Sequence, residues 1–534
     1  MRSRSAITVT VALFLTALTS CGSSDPPHPI ELWFYQAVNL RQDDALAKIE
    51  PLWRRAAAAG YTKVVIEDPM LSRPAEQDER YRLNAELLTK LATVLHIEIV
   101  PIVFQVGRGT GTTLAVDPNL AEGLPVKNAR LVVRDGVANL DPDPPVALGA
   151  TPDQTEMAVH IQDGIATVQD VTGTGRMFWN LKVSPFRCYR VSVQVRSADF
   201  SGEPVIRIFA GRRRLDFTTY RIKPTQDWTE QNAVFNSLDN SELKIVIGVT
   251  HSGHGMAFWK DWRIEELGPL NLVRRDGAPL AVREEKTGRQ LVEGRDFDPL
   301  VDPLMGNSPW KGQYDNWHKV PTLHVHGLAD GTALRASWYA AGVVTGGQAS
   351  VCLSDSATYR RLAEEAANTR ALFSPHSALL AAAEIRTIGW DSSCVAGGRT
   401  AGRILADHVR GDVRLLPGMN VYAWNDMFDP QQNAVADYYL TNGDLAGSWE
   451  GLDSTVTVIN WNGDHRAESL RFFAKLGHRQ VVAAYYDGSA SDVHRDLDAA
   501  NGVPGITGVM YTTWRGQYKD LEAFAQEVLR AGWR

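Results

Sequence analysis

Towards both ends of the chain, apolar runs of five to nine residues alternate with amphipathic segments of helical spacing; in between, that rhythm disappears. The runs lie at 31–35, 63–67, 98–104, 376–384, 420–424, 455–461, 480–486 and 508–514. Residues 61–67 are β-branched and nearly continuous in hydrophobicity, as a parallel strand buried on both faces requires. Residues 42–59 carry apolar positions at helical spacing and stop at Gly60, a residue suited to a left-handed cap. Residues 80–95 give the second helix and 97–104 the third strand. Helical spacing returns at 355–371 and predicts further helices near 399–416, 430–440, 465–476, 491–499 and 518–530.

The middle of the chain has a different period. Between 127 and 267, alternating runs such as 190–195, 205–209 and 243–249 are separated by Gly, Pro, Asn and Asp, the pattern of an antiparallel sandwich. From 270 to 353 the pattern continues as hairpins: 272–275 before Asp276-Gly277, 280–283 before Gly288, and 333–339 before Gly346-Gly347. Three strands precede this stretch and five follow it. The α/β pieces, 30–107 and 354–534, together match a barrel of about 250 residues. The predicted fold is therefore an α/β (β/α)8 TIM barrel interrupted after its third strand by a β-sandwich insertion over 108–353. The run at 333–339 is left out of the barrel because a Gly-Gly hairpin follows it where a crossover helix would be needed.

The N-terminus reads as a targeting segment. Arg2 and Arg4 precede an apolar stretch at 6–18, too short to span a bilayer core of about 30 Å. It ends in Leu18-Thr19-Ser20-Cys21, which resembles a bacterial lipobox. The resemblance implies cleavage before Cys21, lipid on Cys21, and export to the cell envelope with anchoring in the membrane. Residues 1–21 are then the lipoprotein signal peptide together with its lipobox Cys, and 22–29 a Pro-containing tether.

Composition narrows the partners. A net charge of −7 argues against nucleic acid. Fifteen Trp residues are many for this length and suit a carbohydrate ligand, since an indole face packs on the C–H groups of a sugar. With Cys21 lipidated, Cys188, Cys352 and Cys394 remain, so at least one thiol is free. Cys352 and Cys394 are candidates for a pair, which the sequence leaves open. No CxxC motif or His/Cys cluster marks a zinc site, and no metal or organic cofactor is expected.

Chemistry in such barrels sits where the strands' carboxyl ends meet. The last five runs end near Glu384, Trp424-Asn425-Asp426, Asn460-Trp461-Asn462, Tyr485-Tyr486-Asp487 and Trp514. Aromatic faces and carboxylates at one mouth suit glycoside hydrolysis. That reaction needs an acid for the leaving oxygen and a second group to stabilise the oxocarbenium-like centre. Glu384 is the candidate acid: it follows Leu379-Leu380-Ala381-Ala382-Ala383, and desolvation at a confined strand end would raise its pKa. Asp426 and Asp487 are candidates either for the second carboxylate or for holding sugar hydroxyls. Trp424, Trp461, Tyr485, Tyr486 and Trp514 are candidate sugar platforms. Asp429 and Asp464 fall further into loops, as caps or turns. Across the mouth, Tyr35 and the Glu67-Asp68 pair sit at strand ends, where Glu67 is either a site residue or the start of a turn.

These residues resemble family 20 glycoside hydrolases, the exo-acting β-N-acetylhexosaminidases. The resemblance implies that Glu384 is the general acid, and it matches Trp424 to the family's Trp after the fifth strand. It also implies that Tyr485-Tyr486-Asp487 holds the substrate acetamide and a hydroxyl, and it matches Trp514 to the Trp of the family's last-strand Trp-Gly-Glu. The chain departs from the family in three places. Ala383 stands where the family has the Asp that orients the acetamide, Arg515-Gly516 replaces Gly-Glu, and the first-strand Arg has no match. Asp426 is the candidate replacement for the missing Asp. In the insertion, Asp227-Trp228, Phe235-Asn236-Ser237 and Phe258-Trp259-Lys260-Asp261-Trp262 resemble carbohydrate-binding-module jelly rolls. The expectation is a membrane-anchored glycoside hydrolase acting at a glycan end. The alternatives are a retaining glycosidase using Glu384 and Asp487, and a glycan-binding lipoprotein without activity.

Overall fold

The computed structural model describes residues 30–108 and 111–532. The signal segment, the tether and Cys21 lie outside the described residues. Eight parallel strands close into a barrel in chain order. They are β1 (Glu31–Ala37), β2 (Tyr61–Glu67), β3 (Glu98–Val103), β4 (Ser377–Leu380), β5 (Asn420–Trp424), β6 (Thr457–Asn460), β7 (Gln480–Tyr485) and β8 (Ile506–Thr512). Closure is by β8 pairing back to β1, with Leu32 opposite Val509 and Phe34 opposite Tyr511.

Strand periodicity explains the two layers of core. Alternate residues such as Trp33, Val65, Val100, Leu379, Ile459, Val481 and Met510 form one cluster inside the barrel. Their neighbours, among them Phe34, Val64, Ile66, Val509 and Tyr511, pack outward on Trp53, Leu88 and Phe524 of the helix layer. That layer contains α1 (Ala45–Ala58), α2 (Glu79–Leu95), α3 (Ser356–Phe373), α4 (Ala401–Leu415), α5 (Arg466–Lys475), α6 (Val493–Ala500) and α7 (Leu521–Arg530). Asp78, Asp355 and Thr400 cap α2, α3 and α4 by accepting from backbone N–H groups of the first turn. Gly60 ends α1 at φ +91°, the left-handed turn expected of it. Among the described residues no helix is long and apolar enough to cross a membrane.

One predicted helix is absent. Residues 430–440 form turns that lead into a short strand, Leu440–Thr441, and only single 3-10 turns, Asp426–Phe428 and Ser448–Gly451, occur between β5 and β6 among the described residues. The cause is Asp429. Its buried carboxylate accepts from the Gln431 N–H, from Asn425 Nδ2 at 2.8 Å and from Ser469 Oγ, which folds the segment back over the barrel mouth.

Between β3 and α3 the chain makes three antiparallel sheets. Two have five strands each and share one apolar cluster, to which Val168, Val191, Val193 and Trp259 contribute from one and Trp179, Ile206, Ile245 and Ile247 from the other. The third has seven strands, with Gly123–Arg134 paired to Ala333–Ala341 near its middle. The run at 333–339 thus belongs to this sheet and not to the barrel. The outgoing and returning chains run side by side. Val351 N–H donates to Val106 at 3.0 Å, Cys352 N–H to Leu120 at 2.8 Å, and Glu122 N–H to Ser350 at 2.8 Å. Because this neck closes locally, β3 and β4 still pair directly, Leu379 on Ile102 and Leu380 on Val103.

Arg466 locks the β6–β7 side of the barrel from within. It donates to the carbonyls of Asn460 and Ala483 and pairs with Asp496 at 3.3 Å, and both charged side chains are only 4% exposed. Removing one partner of such a buried pair strands the other charge, at about 3–5 kcal/mol. Arg466→Met should therefore lower the urea midpoint by an amount corresponding to that loss. The double variant Arg466→Met/Asp496→Leu should recover a large share of it.

Candidate active site at the barrel mouth

The carboxyl ends of the strands open into a pocket of about 140 Å³. That is close to the ~150 Å³ cavity that admits a benzene ring, so one six-membered ring fills it. Its walls are Tyr35, Trp424, Trp461 and Trp514, and its polar groups are Glu67, Gln105, Arg108 and Glu384. Tyr35 and Trp424 each meet Trp514, with ring centroids 5.1 and 6.1 Å apart, and Arg108 lies over the Trp514 ring at 4.3 Å.

Glu384 is not at the end of its strand. The β4 ladder stops at Leu380, and the backbone then turns so that Glu384 sits at φ +49°. Two contacts hold this turn. Asp426 accepts from the Glu384 N–H at 2.9 Å, and the Ala383 carbonyl accepts from the Arg108 N–H at 2.9 Å. The loops after β3 and β4 approach so closely at Gly107 that a Cβ there would run into the Ala383 carbonyl oxygen. Glu384 Oε1 accepts from Arg386 Nη2 at 3.2 Å, while Oε2 accepts no hydrogen bond among the described residues and lies 3.9 Å from Arg108 Nε. Arg386 is itself held by Gln348 Oε1 at 3.2 Å, a residue of the insertion.

The desolvated carboxyl expected at Glu384 is found one step behind it. Glu384 keeps a quarter of its side chain exposed, whereas Asp426 is fully buried. Burial pushes the Asp426 carboxyl up to about 6 against three donors, the Glu384 N–H, Trp461 Nε1 at 3.2 Å and Asn433 Nδ2 at 3.0 Å. Asp426 therefore acts on the pocket through Glu384 and Trp461.

Glu67 and Asp68 part company. Glu67 faces the pocket and accepts from the Tyr35 hydroxyl and from Gln105 Nε2 at 3.2 Å. Burial, then the Glu67 charge, push the Tyr35 phenol upward. Asp68 turns outward to the Tyr81 hydroxyl at 2.9 Å.

On β7 the structure departs from the sequence expectation. Tyr485 stacks on Tyr511 at 4.0 Å and donates to Asp520 at 2.9 Å, in the layer between barrel and helices. Tyr486 points into the barrel and donates to the Ala483 carbonyl at 2.9 Å. Asp487 accepts from the Thr513 hydroxyl and from the N–H groups of Trp514 at 3.0 Å and Arg515 at 3.2 Å. None of the three lines the pocket; Asp487 instead fixes the backbone that carries Trp514. Conversely, Gln105 and Arg108 line the pocket, although nothing in their spacing along the sequence separates them from the connection that follows.

No protein-family model matches this chain, and no curated protein matches it. Solved structures are similar over parts of it. A mutant Streptomyces plicatus beta-hexosaminidase in complex with product (GlcNAc) is 14% identical, over 35% of this chain and 40% of that one, with a TM-score of 0.23. The GH20 beta-N-acetylhexosaminidase from Streptomyces coelicolor is 13% identical over the same shares, with a TM-score of 0.23. A carbohydrate binding module from Cellvibrio mixtus lichenase 5A is 13% identical, over 27% of this chain and all of the module, with a TM-score of 0.16.

The raised Asp426 carboxyl has a measurable consequence. The folded protein holds that proton more tightly than the unfolded chain, whose aspartates titrate near 4. The stability this gives is complete below about pH 4 and is lost as pH rises through about 6. Asp426→Asn removes the titration. The unfolding free energy of the variant relative to the parent should therefore rise by roughly 2–3 kcal/mol between pH 4 and pH 7. Urea unfolding across that range measures it, and a pH-independent difference would contradict the assignment.

Proposed function

We propose that the protein is a glycoside hydrolase that takes the terminal ring of a glycan into the barrel-mouth pocket. The observation that carries this reading is a one-ring cavity of about 140 Å³, walled by three Trp and a Tyr, with two carboxylates, Glu384 and Glu67, on its lining. Aromatic walls bind the C–H faces of a pyranose, and a pocket of that size accepts a chain end better than a chain interior. We assign Glu384 as the acid that protonates the leaving oxygen, with Oε2 as the reacting atom. Asp426 positions Glu384 and Trp461. Because Glu67 lines the pocket and Asp487 does not, Glu67 or a substrate acetamide is the better second group at the oxocarbenium-like centre. The substrate class we favour is the β-linked N-acetylhexosaminide. We read 30–107 and 354–534 as one TIM barrel, and the two five-stranded sheets within 108–353 as a sandwich like those of carbohydrate-binding modules. We also propose export and lipid anchoring at Cys21, tested by fatty-acid labelling, which should be lost in Cys21→Ser.

A second reading, glycan binding without hydrolysis, draws on the Arg386 guanidinium 3.2 Å from Glu384. One experiment separates the two. Turnover is measured on a panel of aryl glycosides that includes N-acetylglucosaminide and N-acetylgalactosaminide. Glu384→Gln should lower kcat/KM by about 10²–10⁴ at an unchanged melting temperature. Equal turnover in parent and variant would remove Glu384 from the mechanism. Calorimetric binding of glycan fragments with no product in either protein would favour the binding reading.

A further inference from the structure

Away from the pocket, at the neck of the insertion, Glu122, Cys352, Asp391 and Cys394 converge in the interior, each no more than 1% exposed. One ligand atom from each lies within 4.8 Å of all the others. The two thiol sulfurs are 3.8 Å apart, and Cys394 Sγ is 3.3 Å from Glu122 Oε2. Two thiolates on one tetrahedral zinc, at bonds of about 2.3 Å, stand about 3.8 Å apart, and a thiolate and a carboxylate oxygen about 3.5 Å. A disulfide would need the sulfurs at about 2.05 Å.

The surroundings orient the ligands as those of a metal site do. Glu122 Oε1 accepts from the N–H groups of Trp390 at 2.6 Å and Asp391 at 3.1 Å, which leaves Oε2 aimed at the sulfurs. Asp391 Oδ1 accepts from the Cys394 N–H at 3.1 Å, and its other oxygen is held by Arg275, which also binds Asp355 at 3.0 Å. Cys352 Sγ has no hydrogen-bond partner but the Cys394 sulfur among the described residues.

We propose that Glu122, Cys352, Asp391 and Cys394 form a structural zinc site. Thiolate sulfur together with carboxylate oxygen, in a closed and fully buried set of four protein ligands, is donor chemistry suited to zinc. Binding releases to solvent the protons that the ligands carry, and the dication takes their place among the four side chains. The site ties three segments together: Glu122 on the outgoing side of the neck, Cys352 on the returning side, and Asp391 with Cys394 on the loop that also carries Glu384 and Arg386. It holds the insertion against that loop whatever the reaction in the pocket.

The test is metal analysis of the full chain purified without chelator from zinc-supplemented cells. About one zinc per chain is expected in the parent and a several-fold lower content in Cys352→Ser, Cys394→Ser and Glu122→Gln. Chelation should lower the melting temperature, and added zinc should restore it. Cobalt added to the chelated parent should give a thiolate-to-cobalt charge-transfer absorption. Metal content at background with no cobalt–thiolate absorption would overturn the proposal, even if the variants fail to fold. So would a Cys352–Cys394 disulfide found by mass spectrometry of a non-reduced digest.

Discussion

The barrel mouth is organised around one buried carboxylate. A charge in a low-dielectric interior must be met by donors or give up its charge, and Asp426 does some of each: three donors converge on it while burial raises its affinity for a proton. Its donors come from three different loops, those after β4, β5 and β6. Satisfying one side chain therefore fixes the turn that presents Glu384, the segment around Asn433 and the indole of Trp461. An apolar residue such as Leu would leave those three donors without a common acceptor.

The same logic extends around the rim. Asp487 fixes the strand end that carries Trp514, and Asp429 folds the 430–440 segment over β5 and β6. These carboxylates support the pocket without lining it. Five non-glycine residues in the left-handed region lie at the same face: Phe104, Glu384 and the consecutive Tyr485, Tyr486 and Asp487. Each such residue costs roughly 1–3 kcal/mol and persists only where its surroundings hold it. Here the holding is visible, in the Asp426 bond to Glu384, the three bonds to Asp487, and the bond from the Phe104 N–H to the buried Glu365 carboxylate at 2.9 Å.

The insertion touches the site through its neck. Side-by-side chains let a large β-rich segment leave the barrel after β3 and return before α3 without breaking the β3–β4 ladder. Gln348, on the returning side, holds Arg386, which holds Glu384. The insertion thus reaches the candidate acid through one amide and one guanidinium.

The chain's own periodicities determined the outline. Eight short apolar runs became eight parallel strands, because burial on both faces demands continuous hydrophobicity and that is readable locally. Helical spacing located seven helices and failed at 430–440, where a carboxylate's demand for donors overrode the local pattern. The strand ends named Glu384, Trp424, Trp461, Trp514, Tyr35 and Glu67, and all six line the pocket. Which face a residue takes at a strand end depends on where the ladder stops and how the backbone then turns. That is why Tyr485 went to the helix layer and Asp487 to the backbone of Trp514. Contacts between segments distant in sequence, such as Arg108 over Trp514 or Glu122 beside Cys352 and Cys394, exist only once the barrel has closed and the neck has zipped, because no local pattern encodes the distance between two loops.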